Sequence, residues 1–164
     1  MEHKINIVKA KESDLEAIQE MAYQIWPVYY SNIISIEQIE YMLRLLYSPE
    51  ALRQQVANGQ VFFKAEEKGK MVGFMGITPG PSNKVKIDKL YLNESCRGKG
   101  YGKLLIHFAE EQAKQLKASS IFLNVNRFNA SFDFYTKMGF KVKSNIDIPF
   151  GPFWLNDFVV EKGI

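Results

Sequence analysis

The sequence is poor in the residues that several functions require. It has one cysteine, Cys96, so no internal disulfide can form, and a reducing, cytoplasmic setting is expected. Its two histidines, His3 and His107, with that lone cysteine are too few for a zinc site, so no metal is expected. They also give poor support for Cys96 as a nucleophile. The net charge is only +3 and no basic run occurs, which argues against a nucleic-acid surface. No apolar stretch approaches the roughly 20 residues that span a bilayer, so no membrane association is expected. The N-terminal Met-Glu-His-Lys lacks the apolar segment of a signal peptide, which also points to the cytoplasm.

What is present describes an ordinary folded chain. The 164 residues are 46% apolar and 24% charged, enough for a single domain over residues 1–164 with a good core. Lys4 to Lys9 alternates as a first strand. Ser13-Asp14-Leu15-Glu16 has the form of a capping box, opening a helix that puts Leu15, Ile18, Ala22 and Ile25 on one face and is expected to end near Trp26, before Pro27. Ser35-Ile36-Glu37-Gln38 opens a second helix with Ile36, Ile39, Leu43 and Leu46 inward. Ser48-Pro49 opens a third, and Gly59 stops it. Residues 60–66 and 70–78 flank a Lys68-Gly69 turn and form a hairpin. Residues 84–93 make the next strand. The following helix buries Tyr101, Leu104, Leu105, Phe108, Ala109 and Leu116, and exposes Lys103, Glu110, Glu111 and Lys114, with Glu110 and Lys114 at pairing distance. A strand over 120–126, a helix over 129–138, and strands over 140–148 and 153–161 complete the chain.

The strand over 84–93 runs into Arg97-Gly98-Lys99-Gly100-Tyr101-Gly102-Lys103. Glycines at alternate positions let backbone N–H groups converge without interference from Cβ. The first turn of a helix adds unpaired N–H groups and a positive dipole end. With Arg97 and Lys99 this describes a cradle for a phosphate or diphosphate, or else a glycine-rich turn with no ligand. A P-loop is excluded, because Leu104 follows Gly102-Lys103 and Arg97 stands where its first glycine is needed. A dinucleotide fingerprint is excluded because Lys103 stands where its third glycine is needed.

Further on, Asn124-Val125-Asn126-Arg127-Phe128-Asn129-Ala130-Ser131 leads to Phe134-Tyr135 and Gly139-Phe140. The two stretches together resemble the paired signatures of the GNAT superfamily of acyl-CoA-dependent N-acyltransferases, in the family's order. The resemblance implies an α/β (α+β) fold with a mostly antiparallel central sheet of about seven strands flanked by helices, and it implies acetyl-CoA as co-substrate. Cys96 stands where an aromatic or histidine is common, and Asn93-Glu94-Ser95 lacks a proline common in that turn; neither removes a phosphate donor.

The resemblance also implies roles. Backbone amides of Gly98, Lys99, Gly100, Tyr101 and Gly102 hold the CoA diphosphate, with Arg97 and Lys103 also at the cofactor. Leu90, Tyr91 and Leu92 present the strand edge to the pantetheine arm, and an N–H near Leu92 polarises the thioester carbonyl. Asn126 and Asn129 touch the CoA arm, and Asn129 also caps its helix. Tyr135 donates a proton to the departing thiolate. A base must take the proton of the amine, since a primary amine has a pKa near ~10.4 and its deprotonation at neutral pH costs about 4–5 kcal/mol. Asp88 is the candidate, on the expectation that it shares a strand face with Leu90 and Leu92; pairing with Lys84, Lys86 or Lys89 is its bland alternative.

The acceptor pocket is expected between the first two helices and the last hairpin, with Tyr29, Tyr30, Glu37, Trp154 and Asp157 lining it and Glu40 and Asn156 nearby. Residues 37–43, 47–50 and 156–162 resemble the bacterial branch that acetylates spermidine and spermine. A polyamine suits acidic side chains. A small-molecule amine is therefore the expected partner. A protein or peptide acceptor, a non-catalytic acyl-CoA-binding module, and monomer against homodimer stay open.

Overall fold

The computed structural model describes residues 4–164; residues 1–3, which include His3 and the start of the Met-Glu-His-Lys terminus, lie outside the described residues. A seven-stranded sheet runs through the molecule in the order β1-β2-β3-β4-β5-β7-β6. The strands are β1 (Asn6–Lys9), β2 (Val61–Glu67), β3 (Lys70–Pro79), β4 (Lys84–Leu92), β5 (Ser120–Asn126), β6 (Lys141–Phe150) and β7 (Phe153–Gly163). Every neighbouring pair is antiparallel except β4 and β5. The helices are α1 (Leu15–Tyr29), α2 (Ile36–Tyr47), α3 (Pro49–Ala57), α4 (Tyr101–Gln115) and α5 (Ser131–Lys137). This is the expected mixed, mostly antiparallel α/β fold.

Each sheet face has its own core. On one, α1–α3 bury Ile18, Ala22, Leu43, Tyr47 and Leu52 against Phe62 and Phe74. On the other, α4 and α5 bury Leu105, Ile106, Ala109 and Tyr135 against Val85, Ile87, Ile121 and Leu123. Ile18, Leu52 and Ile106 are fully buried, and each such side chain stabilises the fold by about 1.5–3 kcal/mol.

Several elements depart from their sequence pattern for local reasons. Pro27 lies inside α1, which continues to Tyr29 and closes with Tyr30 N–H on the Trp26 carbonyl at 2.9 Å. Proline removes one bond near the helix end, and the aromatic packing of Trp26 and Tyr29 with Tyr91 holds the extra turn. Asp14 rather than Ser13 makes the entry cap, accepting the Lys11 N–H at 2.7 Å. Ser35 and Ser48 cap α2 and α3 as expected, each accepting a backbone N–H at 3.1 Å. Ile36 is 70% exposed, because the inward arc of α2 is formed by Ile39, Met42, Leu43 and Tyr47. On α4 the buried row is Tyr101, Leu105, Ala109 and Ala113, in steps of four, so Leu104 and Leu116 fall outside it. Glu110 is engaged by Lys162 of β7 at 2.6 Å, and Lys114 pairs with Glu111 instead.

Two irregularities in β4 position the functional region. First, β4 pairs with β5 only at Lys84, Val85 and Lys86, after which the strands diverge. Second, the β3 ladder pairs Ile77 with Ile87 and Gly76 with Lys89, leaving Asp88 as the extra residue of a bulge. Alternation is therefore reversed beyond it. Val85 and Ile87, then Leu90 and Leu92, pack on the α4 side, while Lys89 and Tyr91 turn to the α1–α3 side. The expectation that Asp88 shares a face with Leu90 and Leu92 is thus corrected, because a bulge breaks the period of two.

Past the bulge, Gly73 lets β3 lie tightly on β4. A Cβ there would stand 2.6 Å from both the Tyr91 carbonyl oxygen and Leu92 Cδ2. Gly73→Ala is expected to lower stability by about 1–3 kcal/mol in urea unfolding. A midpoint equal to wild type would show that the two strands part here without cost.

Candidate functional site

The divergence of β4 and β5 opens two spaces that meet at β4. On one side, a cleft of about 510 Å³ is lined by Leu90–Glu94, Arg97, Gly98, Gly100–Lys103, Ser131, Phe134 and Tyr135. On the other, a cavity of about 380 Å³ is lined by aromatic residues of α1 and α2, by Lys86–Tyr91, and by Asn124, Asn126, Asn129 and Asp157. Tyr29, Leu90, Tyr91 and Tyr135 line both.

The cleft is built from main-chain donors. Gly98 and Gly100 adopt φ of +77° and +78°, which only glycine takes up without strain, and this reverses the chain into α4. The first intrahelical bond of α4 runs from Leu104 N–H to the Gly100 carbonyl at 3.2 Å. The N–H groups ahead of it, those of Gly102 and Lys103 among them, sit at the cleft wall where the helix dipole is positive. Arg97 adds a full charge at the rim. At Gly102 the fit is close, since an added Cβ would lie 3.1 Å from the Phe134 ring. Glu67 of β2 braces this loop, with its carboxylate bonded to the Tyr101 hydroxyl and 3.4 Å from Lys99 Nζ.

The strand edge supplies the rest. Asn93 N–H bonds the Val72 carbonyl at 2.8 Å, which makes that a hydrogen-bonded pair of the β3–β4 ladder. By alternation, Tyr91 also spends its main-chain groups on β3, while those of Leu90 and Leu92 face away from it, into the gap left by β5. These are open positions for an extended ligand. The residues therefore fit a diphosphate bound at the α4 turn with a linear arm along β4.

At the junction, the Tyr135 ring packs on Phe134 and Phe140. Burial, with a smaller contribution from Tyr29, holds its phenol well above the usual range, so it stays protonated and able to donate. Tyr29 ties α1 to the start of α5. Its hydroxyl shares a hydrogen bond with the Ser131 hydroxyl and lies 3.1 Å from Asn129 Nδ2. Asn129 in turn accepts the Ser131 N–H at 2.8 Å; it stands one residue ahead of the N-cap, Ala130, and so satisfies the first N–H of α5 without being its cap residue. The Tyr30 and Tyr91 hydroxyls are 2.8 Å apart, and burial raises both phenols.

The cavity carries both signs of charge. Asp88 Oδ2 accepts from the Thr78 hydroxyl at 2.5 Å rather than pairing with Lys84, Lys86 or Lys89. Lys84 pairs with Glu161. Burial raises the carboxyl of Asp157, offset in part by Asn124, Arg127 and Lys86. Burial depresses the Lys89 ammonium to about 8.

The structure gathers most of the residues expected from sequence, and it divides them. Leu90, Tyr91, Leu92, Arg97, Gly98, Gly100, Tyr101, Gly102, Lys103 and Tyr135 line the cleft. Lys99 does not; its side chain turns to Glu67. Asn126 and Asn129, expected at the CoA arm, line the second cavity, beyond the point where β5 parts from β4. Tyr29, Tyr30 and Asp157, expected at the acceptor pocket, line that cavity, and Asp88 joins them there rather than on the face of Leu90 and Leu92. Glu37 and Glu40 are exposed on α2, and Trp154 is 57% exposed, so these side chains lie outside it. Trp154 is held at the rim through its carbonyl, which accepts from Gln38 Nε2 at 3.1 Å. Not anticipated were Trp26, Tyr47, Gln55, Gln60 and Lys89 in the cavity wall. The available signal was weak: Lys89 directly follows Asp88, which breaks the alternation of charged and apolar residues along Lys84–Leu92.

Known proteins share this arrangement. The Acetyltransferase (GNAT) family profile matches residues 16–140. The chain is 32% identical to a spermidine N(1)-acetyltransferase of Thermoplasma acidophilum, over 96% of each chain. It superposes on the crystal structure of the PaiA N-acetyltransferase from Thermoplasma acidophilum in complex with coenzyme A with a TM-score of 0.83, covering 98% of this chain and 99% of that one. A GCN5-related N-acetyltransferase structure from Rhodopseudomonas palustris shares the fold with a TM-score of 0.86 at 19% identity, over 100% of this chain and 98% of that one. The chain therefore belongs to the GNAT acetyltransferase family. It is an N-acetyltransferase with acetyl-CoA as its co-substrate.

Gly100→Val forces a side chain into a left-handed turn and is expected to weaken CoA binding by about tenfold or more in calorimetry. Unchanged affinity would remove the turn from the diphosphate site.

Proposed function

We propose that the protein moves the acetyl group of acetyl-CoA directly to a small primary amine held in the aromatic-lined cavity. The observation that carries this reading is the shared wall: Tyr135 and Leu90 border both spaces, so donor and acceptor meet across β4. The turn at Gly98–Lys103 takes the diphosphate on main-chain N–H groups. The gap-facing groups of Leu90 and Leu92 hold the linear arm and aim the thioester at the cavity. A β4 N–H near Leu92 stabilises the negative charge that develops on the carbonyl oxygen as the amine attacks. Tyr135 gives its proton to the sulfur as the carbon–sulfur bond breaks. Asp88, on the cavity wall, is the group we assign to receive the proton lost by the amine, directly or through water.

A polyamine of the spermidine class is the acceptor we favour. The 32% identical relative bears that name. Asp88 and Asp157 give the cavity two carboxylates, and the rings of Trp26, Tyr29, Tyr30 and Tyr91 suit an ammonium group. Residues 1–164 act on this reading as one domain. A lone, buried, reduced Cys96 is in keeping with the cytoplasm.

Thiol release from acetyl-CoA across a panel of monoamines, diamines, spermidine, spermine and peptides, with mass detection of the product, tests the assignment. Acetylated polyamine is expected. CoA binding without turnover on any amine would instead favour a sensor, and turnover on peptides alone would overturn the small-amine reading. Tyr135→Phe is expected to lower kcat by about tenfold or more with CoA affinity unchanged. Full activity in that variant would remove Tyr135 from the acid role.

A further inference from the structure

The acceptor cavity contains a charge that the reaction does not use. Lys89 is 8% exposed, and its Nζ donates to Gln55 Oε1 at 2.7 Å and Gln60 Oε1 at 2.8 Å. It lies 5.2 Å from the centre of the Phe62 ring and 5.7 Å from that of Tyr47. Both hydrogen-bond partners are neutral amides, and among the described residues no carboxylate stands at ion-pair distance, although the neighbouring Asp88 charge offsets part of the cost of burial. A buried cation of this kind is costly, and it is depressed to about 8 by its burial.

The seat is constructed for it. The bulge at Asp88 turns Lys89 away from the α4 side and into the cavity wall. Opposite Lys89 on β3 is Gly76, where any Cβ would come within 2.3 Å of Gln60 Oε1, so glycine leaves Gln60 room to reach the ammonium. Gln55 donates its Nε2 to the Leu46 carbonyl at 2.9 Å, which fixes its oxygen toward Lys89. Lysine has three donors and the glutamines take two, leaving one for a group in the cavity.

One further donor stands behind the same wall. Tyr47 Oη and Trp26 Nε1 are buried without a partner at full hydrogen-bond geometry, and the indole N–H lies close enough to the phenol oxygen to act on it, which leaves the Tyr47 O–H as the unspent donor. Asp88 and Asp157 offer carboxylates to the cavity, whereas Lys89 and, behind it, Tyr47 offer donors.

We propose that Lys89 is a specificity-determining residue for the acceptor: its ammonium admits an anionic or neutral hydrogen-bond-accepting group to the donor-lined end of the cavity and turns a second ammonium away. The proposal rests on the small-amine reading given above. A polyamine then keeps its charges on the carboxylate side, and an amine ending in a carboxylate reaches further in.

Three probes of equal length test this: pentylamine, 1,5-diaminopentane and 5-aminopentanoate. They are assayed by thiol release with wild type, Lys89→Met and Lys89→Arg, with thermal unfolding as the control for folding. Lys89→Met is expected to raise the kcat/KM ratio of diamine to monoamine by about fivefold or more. It is expected to lower the ratio of aminopentanoate to monoamine by a similar factor. Lys89→Arg is expected to keep both ratios within about twofold. If Lys89→Met acetylates these amines with unchanged ratios, or fails to fold while Lys89→Arg shifts the ratios, Lys89 does not set specificity. If wild type acetylates no amine at all, the small-amine reading falls and this proposal with it.

Discussion

β4 and β5 share hydrogen bonds over three residue pairs and then separate, and the function depends on that separation. Within a closed sheet, Leu90 and Leu92 would spend their main-chain groups on a neighbouring strand. Here they face a gap, and buried backbone groups require partners. On the reading proposed above, an extended ligand with its own amides satisfies them, in the manner of an added strand. The same gap is what makes two spaces from one sheet. The cleft opens toward α4 and α5, and the cavity opens toward α1 and α2. Tyr135 and Tyr29 stand where they meet, and Tyr29 joins the flanking helices across the opening through Ser131 and Asn129.

The bulge at Asp88 gives the strand its second property. One unpaired residue exchanges the faces of everything after it. Leu90 and Leu92 thereby return to the apolar α4 side, and Lys89 and Tyr91 reach the acceptor side. A regular strand that kept Val85 and Ile87 on the α4 side would turn Lys89 and Tyr91 into that core and carry Leu90 and Leu92 to the opposite face. Charge in the cavity follows from this geometry. Asp88 and Lys89 are adjacent in sequence, yet one is tied to Thr78 and the other to Gln55 and Gln60.

The sequence carried the site's main-chain chemistry more clearly than its side-chain chemistry. Glycines at 98 and 100 announce positive φ, and a strand entering a helix announces a dipole end, so the cradle was legible from residue types alone. The element order was legible for a similar reason, since Ser35, Ser48-Pro49, Lys68-Gly69 and Gly139 mark boundaries by local physics. What was not legible depends on long-range register. A bulge has no residue signature at Asp88, so its partner face was misjudged. Asn126 and Asn129 are conspicuous in the second motif, but that they line the cavity beside the parted β5 depends on the sheet register. Glu37 has the charge a polycation favours, but α2 turns it to solvent by its helical phase. Lys89 was visible as a charge directly after Asp88 that breaks the strand's alternation, but not its seat, which needs Gly76 on β3 and two glutamines from around α3.

The placement of β7 between β5 and β6 has a bearing on how the molecule is made. β7 pairs with β6 over residues 153–161 and with β5 over residues 157–163, and it buries Val160 among the residues of the second core. During translation, β6 therefore leaves the ribosome with no strand to pair with, and β5 with only its short contact to β4. That half of the sheet waits for residues 153–163. Until they arrive, two open strand edges are exposed in the nascent chain, where pairing with another chain competes with the native closure. Asp157 is on β7, so the cavity it lines is complete only once residues 153–163 have paired, after the turn at Gly98–Lys103 has been able to form.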